Sequence, residues 1–332
     1  MNRFLKWHRL IKIFMQICLP MIRYLSHNEI DVKKWDNVIK HAFNGNIYAY
    51  SWYLDIIHED WEALVENDYE RVMPLTGRKK WGIGYMLQPL FAQQLGVFST
   101  GILTGEHIIN FIRKIPRKYP LVQINLNIHN HPDLPEPYQL LRNKNNLLDL
   151  IHNYRKLYSR YSQNTKRNLK KSRKFDLSLS KNLNPARVVE LFRNNKGKQI
   201  KQLKDDDYQR LLRLMYTSIH KGKGITYGVY TSGNELCAAA FFLLENQHLI
   251  FLFSGSNLES RQNGAMTFLF DRVIEEFSNS RVVLDFEGSN NENLARFYHG
   301  FGSKEVYYTV LKYNLLPFPL KQLSNAYLRY LK

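Results

Sequence analysis

The chain has 332 residues, is 44% hydrophobic and 14% aromatic, and sets 47 Lys and Arg against 29 Asp and Glu for a net charge of +18. That length and apolar content predict a globular protein of about two domains and exclude a disordered one. Cys18 and Cys237 lack CxxC spacing, which excludes a disulfide framework or thiolate metal site and fits a reducing compartment, while the positive charge implies an anionic partner: nucleotide, tRNA, cell-wall precursor or membrane surface.

"LIKIFMQICLPMI", residues 10–22, falls short of the roughly 18 apolar residues that span a bilayer, and it contains Lys12. Lys6 and Arg9 precede it as in the n-region of a signal peptide, but no small-residue cleavage site follows. The same letters fit an upstream extension with Met21 as the start. Residues 1–20 are therefore set apart as an extension or weak basic-hydrophobic segment.

From Met21, "IRYLS" reads as a strand, "DVKKWDNVIKHAF" and "SWYLDIIHE" as helices, and "WEALVE", "YERVMPLT" and "YMLQPLF…LGVFS" as strands. "GEHIINFIRKIPRKY" reads as a helix, "LVQINLN" and "YQLLRN" as strands, and "RNKNNLLDLIHNYRKLYSRY" as a connector. Next, "FDLSLS" alternates like a half-buried strand, Asn184-Pro185 opens a helix, and Asp205 to Asp207 open another with the stripe Leu211, Leu212, Met215 and Ile219. "ITYGVYT", "ELCAAAFFLLE" and "HLIFLFSGS" read as three antiparallel strands. A helix from Asn263 to Phe277, the strand "RVVLDFE", the helix "NENLARFYHGF" and the strand "KEVYYTVLKYN" complete the order β, α, α, β, β, β, α, β, α, β.

That order, with "FSGSNLESRQNGAMTFLFDRVIEEF…VVLDFEGSNNENLARFYHGFG", resembles the second half of FemAB-like proteins, a branch of the GNAT acyltransferases in which two such domains lie side by side. The resemblance covers residues 155–314 well. The earlier half repeats the element order more roughly, as in a degenerate tandem. The expected class is α/β (α+β), with two GNAT-like domains in tandem, each a mixed, mostly antiparallel sheet flanked by helices. Residues 21–150 form the first domain, 151–316 the second with a leading basic helix, and 317–332 a tail.

In that fold the fourth and fifth strands splay, freeing backbone groups for an acyl carbonyl, and the next helix start offers N–H groups to a pyrophosphate. "SRQNGAM" resembles that phosphate loop. The resemblance implies cofactor contacts at Arg261, Gln262, Asn263 and Gly264, with Ser254 as a further hydrogen bonder; Met266 stands where the family has Gly or Ala. "NLARFY" resembles the N-x-x-A-x-x-F-Y pattern with tighter spacing, and the resemblance implies that Tyr298 is the acid that protonates a leaving thiolate. The same tyrosine also fits a ring packed on the sheet. The related FKxxFG stretch of Fem peptidyltransferases has lysine where Tyr298 stands, so transfer from aminoacyl-tRNA to a peptidoglycan precursor is not simply inherited.

A period of two puts Asp285 and Glu287 on one strand face. Glu287, beside the Gly288 turn, is placed to deprotonate an acceptor amine; Asp285 and Ser289 are placed to contact it, although either carboxylate also suits a turn cap or an ion pair. Residues 154–175 carry nine cations and no acid, with Leu157, Tyr161 and Leu169 as the buried stripe. Arg167, Lys170 and Lys171 on this helix are expected to hold a phosphate-rich ligand. "QPLFAQQLG" suggests a cleft lined by Tyr85 and Gln94, or buried glutamines satisfying strand ends. "HNHP" reads as placing His129 and His131 on one strand face, but two imidazoles alone do not hold a metal and none is expected.

Three functions fit. The first is an N-acyltransferase moving an acetyl or aminoacyl group from acyl-CoA or aminoacyl-tRNA to an amine, in cell-envelope or peptidoglycan-related biosynthesis. It would be cytoplasmic, or peripheral at the inner membrane surface. No cofactor is expected to bind tightly; acetyl-CoA or aminoacyl-tRNA would be a co-substrate. The second is a catalytically inactive relative that binds tRNA or another polyanion. The third is a membrane-surface protein held by residues 1–24 against anionic lipid.

Overall fold

The computed structural model describes residues 21–330 apart from 201, 289 and the side chains of 327–330, so the readings of residues 1–20 and of Ser289 lie outside the described residues. The first half runs β1 (Ile22–Leu25), α1 (Val32–His41), α2 (Ser51–Ile57), β2 (Glu62–Glu66), β3 (Arg71–Leu75), β4 (Gly77–Lys80), β5 (Ile83–Leu87), β6 (Phe98–Ser99), α3 (Gly105–Arg113), β7 (Leu121–Asn125) and β8 (Gln139–Asp149). The second half begins with α4 (Tyr154–Ser159), α5 (Gln163–Ser172), β9 (Ser178–Lys181), α6 (Pro185–Asn194), α7 (Asp205–His220), β10 (Gly224–Tyr230) and β11 (Leu236–Glu245). It ends with β12 (His248–Ser256), α8 (Glu259–Asn263), α9 (Ala265–Phe277), β13 (Val283–Asp285), α10 (Glu292–His299), β14 (Lys304–Asn314) and α11 (Leu320–Tyr330). Short polar side chains set the helix starts: Asp31 accepts from the N–H groups of Lys33 and Lys34, and Asn184 from that of Ala186 ahead of a Pro at N1.

The class is mixed α/β with GNAT-like halves, as expected, and four local readings change. Residues 77–80 form a hairpin strand with β5 that the sequence reading missed, because "GRKK" carries no apolar alternation. Residues 142–149, read as a connector, continue β8. The helix expected from Asn263 breaks at Gly264, whose φ of +75° ends α8 and starts α9. His129 and His131 sit in a turn region rather than on one strand face.

Two sheets organise the chain. A four-stranded one has the order β1-β2-β3-β6, and a ten-stranded one runs β4-β5-β7-β14-β8-β13-β12-β11-β10-β9. The halves exchange their last strands: β14 lies between β7 and β8, while β8 lies between β14 and β13. The large sheet thus passes through both halves without an edge between them. On one face α5, α9 and α10 cover Leu249, Phe251, Leu284 and Phe286; on the other, α2 and α7 cover Ile250 and Leu252.

The centre of this sheet opens. Parallel β12 and β13 pair only from His248–Val283 to Ile250–Asp285, after which β12 continues to Ser256 with an irregularity opposite Phe241 and Phe242. A Cβ on Gly255 would lie 2.6 Å from the Phe192 nitrogen and 2.7 Å from the Val188 oxygen, so α6 rests directly on this strand's backbone. Gly255→Ala is expected to lower stability by about 2–4 kcal/mol, read by urea unfolding, since only backbone can yield there.

Candidate active site

Asp285 closes the paired part of β13, and the chain then turns through Glu287 at φ +52° and Gly288 at φ +27°. A left-handed glutamate costs about 1 kcal/mol, and such strain gathers where side-chain placement matters. The strand period therefore ends before Glu287, yet the two carboxylates still meet: the Glu287 N–H donates to Asp285 Oδ1 at 2.7 Å. Asn145 on β8 donates from Nδ2 to Asp285 Oδ2 at 3.2 Å. From the first half, the Tyr48 hydroxyl donates a short hydrogen bond to Glu287 Oε1.

Burial is the main influence on both acids. It pushes Glu287 up to about 8, with the neighbouring Asp285 charge adding to the rise and the Tyr48 hydrogen bond opposing it. Asp285 is pushed up to about 6 by burial, against the Glu287 N–H and Asn145. Beside them lies a cleft of about 70 Å³ between the halves, walled by residues 43–48, Gln94, His129, Asn145 and His248. Burial holds the His129 and His248 imidazoles below the usual histidine range.

Tyr298 stands on the opposite face of the sheet. Its ring stacks on Phe286 at 4.8 Å, and its hydroxyl makes no hydrogen bond among the described residues. Burial first, and the Glu287 charge second, raise it well above the ordinary tyrosine range. Asn146, the next residue along β8, is fully buried with neither side-chain amide atom hydrogen-bonded among the described residues. Asn146→Leu is expected to raise stability by about 1–3 kcal/mol in chemical denaturation, because it removes an unsatisfied buried amide.

The other sequence candidates divide. Arg261 and Gly264 join Asn168 and Lys171 of α5, Ser256, Met266 and Phe297 around a cleft of about 280 Å³ at the start of α9. The broken helix makes this possible: a Cβ on Gly264 would lie 3.2 Å from the Asn168 carbonyl. Gln262 is exposed, and Ser254 lies on β12 two residues before the serine that lines the cleft. Asn263 is buried, accepting from the Ala265 N–H and donating to Cys237 Sγ. Arg167 and Lys170 line an adjoining basic cleft with Lys166, Arg173 and Tyr158. Leu157, Tyr161 and Leu169 are buried as read, which turns these cations outward.

Tyr85 and Gln94 do not share a cleft. Tyr85 lines a cavity of about 870 Å³ under the β4–β5 hairpin, whereas Gln94 is buried beside the carboxylates. Tyr48 and Asn145 were missed by sequence reasoning; the aromatic turn "NIYAYSWY" and the double Asn in a strand are the signals that mark them. Among the described residues no three His, Cys, Asp or Glu side chains gather as metal ligands.

No family model and no curated protein matches the sequence. Solved structures do. FemX superposes with a TM-score of 0.63 at 10% identity, over 91% of this chain and 99% of that one. The fold is that of the FemAB-like GNAT proteins. Two more structures agree: L-PGS from Bacillus licheniformis, with a TM-score of 0.52, 10% identity and coverage of 88% and 95%, and the C-terminal domain of a putative lysylphosphatidylglycerol synthetase from Agrobacterium fabrum, with 0.53, 8%, 86% and 91%. Asp285 and Glu287 lie where β12 and β13 stop pairing, and Arg261 and Gly264 stand at the helix start that follows β12.

Proposed function

We propose that the chain is an N-acyltransferase whose donor lies along α5 and the start of α9 and whose acceptor amine enters between the halves. The observation that carries this reading is the Tyr48–Glu287–Asp285 cluster at the mouth of the splayed strands. Glu287 takes a proton from the attacking amine as nitrogen bonds to the acyl carbon. The carbon–sulfur or carbon–oxygen bond to the donor then breaks. Tyr298, kept protonated by burial, supplies the proton to the departing atom. The donor is an acyl-CoA or an aminoacyl-tRNA, and Arg261, Lys171, Arg167 and Lys170 attract its phosphates. A FemAB-like fold in a lysylphosphatidylglycerol synthetase domain supports an aminoacyl group and an envelope acceptor.

The test is transfer of labelled acetyl from acetyl-CoA, and of labelled amino acid from charged tRNA, to a panel of amines. Product formed by the wild-type chain and lost in Glu287→Gln supports the assignment; equal product from both overturns it. Because the base must be ionised, kcat/KM is expected to climb about tenfold per pH unit and to level above about pH 8. Tyr48→Phe removes the hydrogen bond that favours the carboxylate, so it should move this midpoint upward and lower kcat by about 10–100-fold at neutral pH. Tyr298→Phe should slow transfer from a tRNA ester more than from a thioester, because a departing alkoxide depends on protonation more than a thiolate does.

Met266, in the wall of the cleft at the start of α9, supports a second reading, polyanion binding without transfer. Salt-sensitive tRNA binding that Lys170→Glu and Lys171→Glu weaken, with no product from either donor, would establish it.

A further inference from the structure

In the first turns of the last helix Ser324 and Asn325 face the protein, where Asn314 donates to the Lys321 carbonyl, Ser324 Oγ and Asn325 Oδ1 at 3.3, 2.9 and 3.0 Å, while Lys321 and Gln322 are exposed. Leu320 and Leu323 are left 40% and 63% exposed, with Phe318 at 80% and Leu315 at 56% just before them. Leu316 anchors this segment by packing into the cluster of Leu121, Ile83, Tyr85 and Leu87, so α11 begins beside the β4–β5 hairpin at the edge of the large sheet. The hairpin tip carries Trp81, 88% exposed, with the Lys80 ammonium 4.6 Å from its ring centroid and Arg78 and Lys79 exposed on the same strand.

Water leaves such a surface uncovered at a cost, and charge selects what covers it. Residues 71–105 and 306–332 contain no Asp or Glu, so the hairpin and the last helix belong to acid-free stretches that include Arg78, Lys79, Lys80 and Lys321. A tryptophan with flanking cations and outward leucines has the composition of an interfacial anchor: the rings and leucines enter the headgroup boundary while the cations meet lipid phosphates. We propose that the hairpin tip and α11 together dock the protein on an anionic lipid bilayer. The surface involves neither carboxylate of the acyl-transfer site, and its test needs no donor or acceptor.

The experiment is co-flotation of the full chain with phosphatidylcholine vesicles, with and without phosphatidylglycerol, at low and high salt. Binding is expected only to the anionic vesicles and should weaken with salt. Each lost cation should lower partitioning about fivefold, so Lys79→Glu with Lys80→Glu, which also reverses charge, is expected to lower it at least 25-fold. Leu320→Ser with Leu323→Ser should abolish binding at unchanged melting temperature; if that pair unfolds, Trp81→Ala is the substitute, since its side chain lies almost wholly in solvent. No binding to anionic vesicles overturns the proposal. So does binding that these variants leave intact, including binding lost only when residues 1–20 are deleted. Self-association of the chain that the leucine variants dissolve would place a second copy on this face and overturn it equally.

Discussion

Glu287→Gln is expected to lower acyl transfer by about 10²–10⁴-fold while making the protein more stable in mild alkali. The folded protein holds the Glu287 proton up to about pH 8, whereas an ordinary glutamate releases it near 4.5. Between those values the folded state binds more protons than the unfolded one, so stability from this group is present below about pH 4.5 and is lost as pH rises through about 8. Glutamine fills the same space without a charge to bury. The melting temperatures of the two proteins should coincide near pH 4.5 and separate upward. By pH 8.5 the variant should lead by about 1–3 kcal/mol, a few degrees in Tm. A variant less stable than wild type at pH 8.5 would show that the carboxylate is not desolvated, and with that the argument for a tuned base would fail.

Gly288→Ala should have the largest structural effect of any single change at the site. A Cβ there would lie 2.2 Å from the Asn145 Cα and 2.3 Å from the Lys144 carbonyl oxygen, both backbone atoms of β8. No side chain can rotate away to make room. The β8 backbone must shift while held between β13 and β14, which loosens the Asn145–Asp285 hydrogen bond and the turn that aims Glu287 at Tyr48. The expected cost is about 3–5 kcal/mol in equilibrium unfolding, with transfer reduced at least as far as in Glu287→Gln. An alanine variant of normal stability would mean that the turn relaxes freely and that the left-handed Glu287 is not held by its surroundings.

The pairing of Glu287 with Tyr48 shows how far local reasoning reaches. Glu287 was legible because a strand ending at a glycine turn is a local pattern. Tyr48 was not, since it lies 239 residues away and nothing in "NIYAYSWY" says which strand end it meets. Arg261, Gly264 and Lys171 were each legible singly, from a helix-start loop and an acid-free basic helix; their convergence on one cleft comes from the packing of α5 beside α9. Tyr85 and Gln94 were grouped because they are neighbours in sequence, and the shared sheet sends them to different cavities.

The sequence by itself determined most of the elements and their order, the buried stripe of α5, the cationic surface it leaves outward and the splay expected from the fold it resembles. Periodicity, caps and turns act over a few residues and are written in adjacent letters. Only the tertiary structure decided that β8 and β14 change places, that 142–149 is strand and that Asp285 and Glu287 are buried together beside Tyr48, which raises both above the usual carboxylate range. Those outcomes depend on which distant surfaces bury one another and on how much water they exclude, and neither is encoded in the spacing of neighbouring residues.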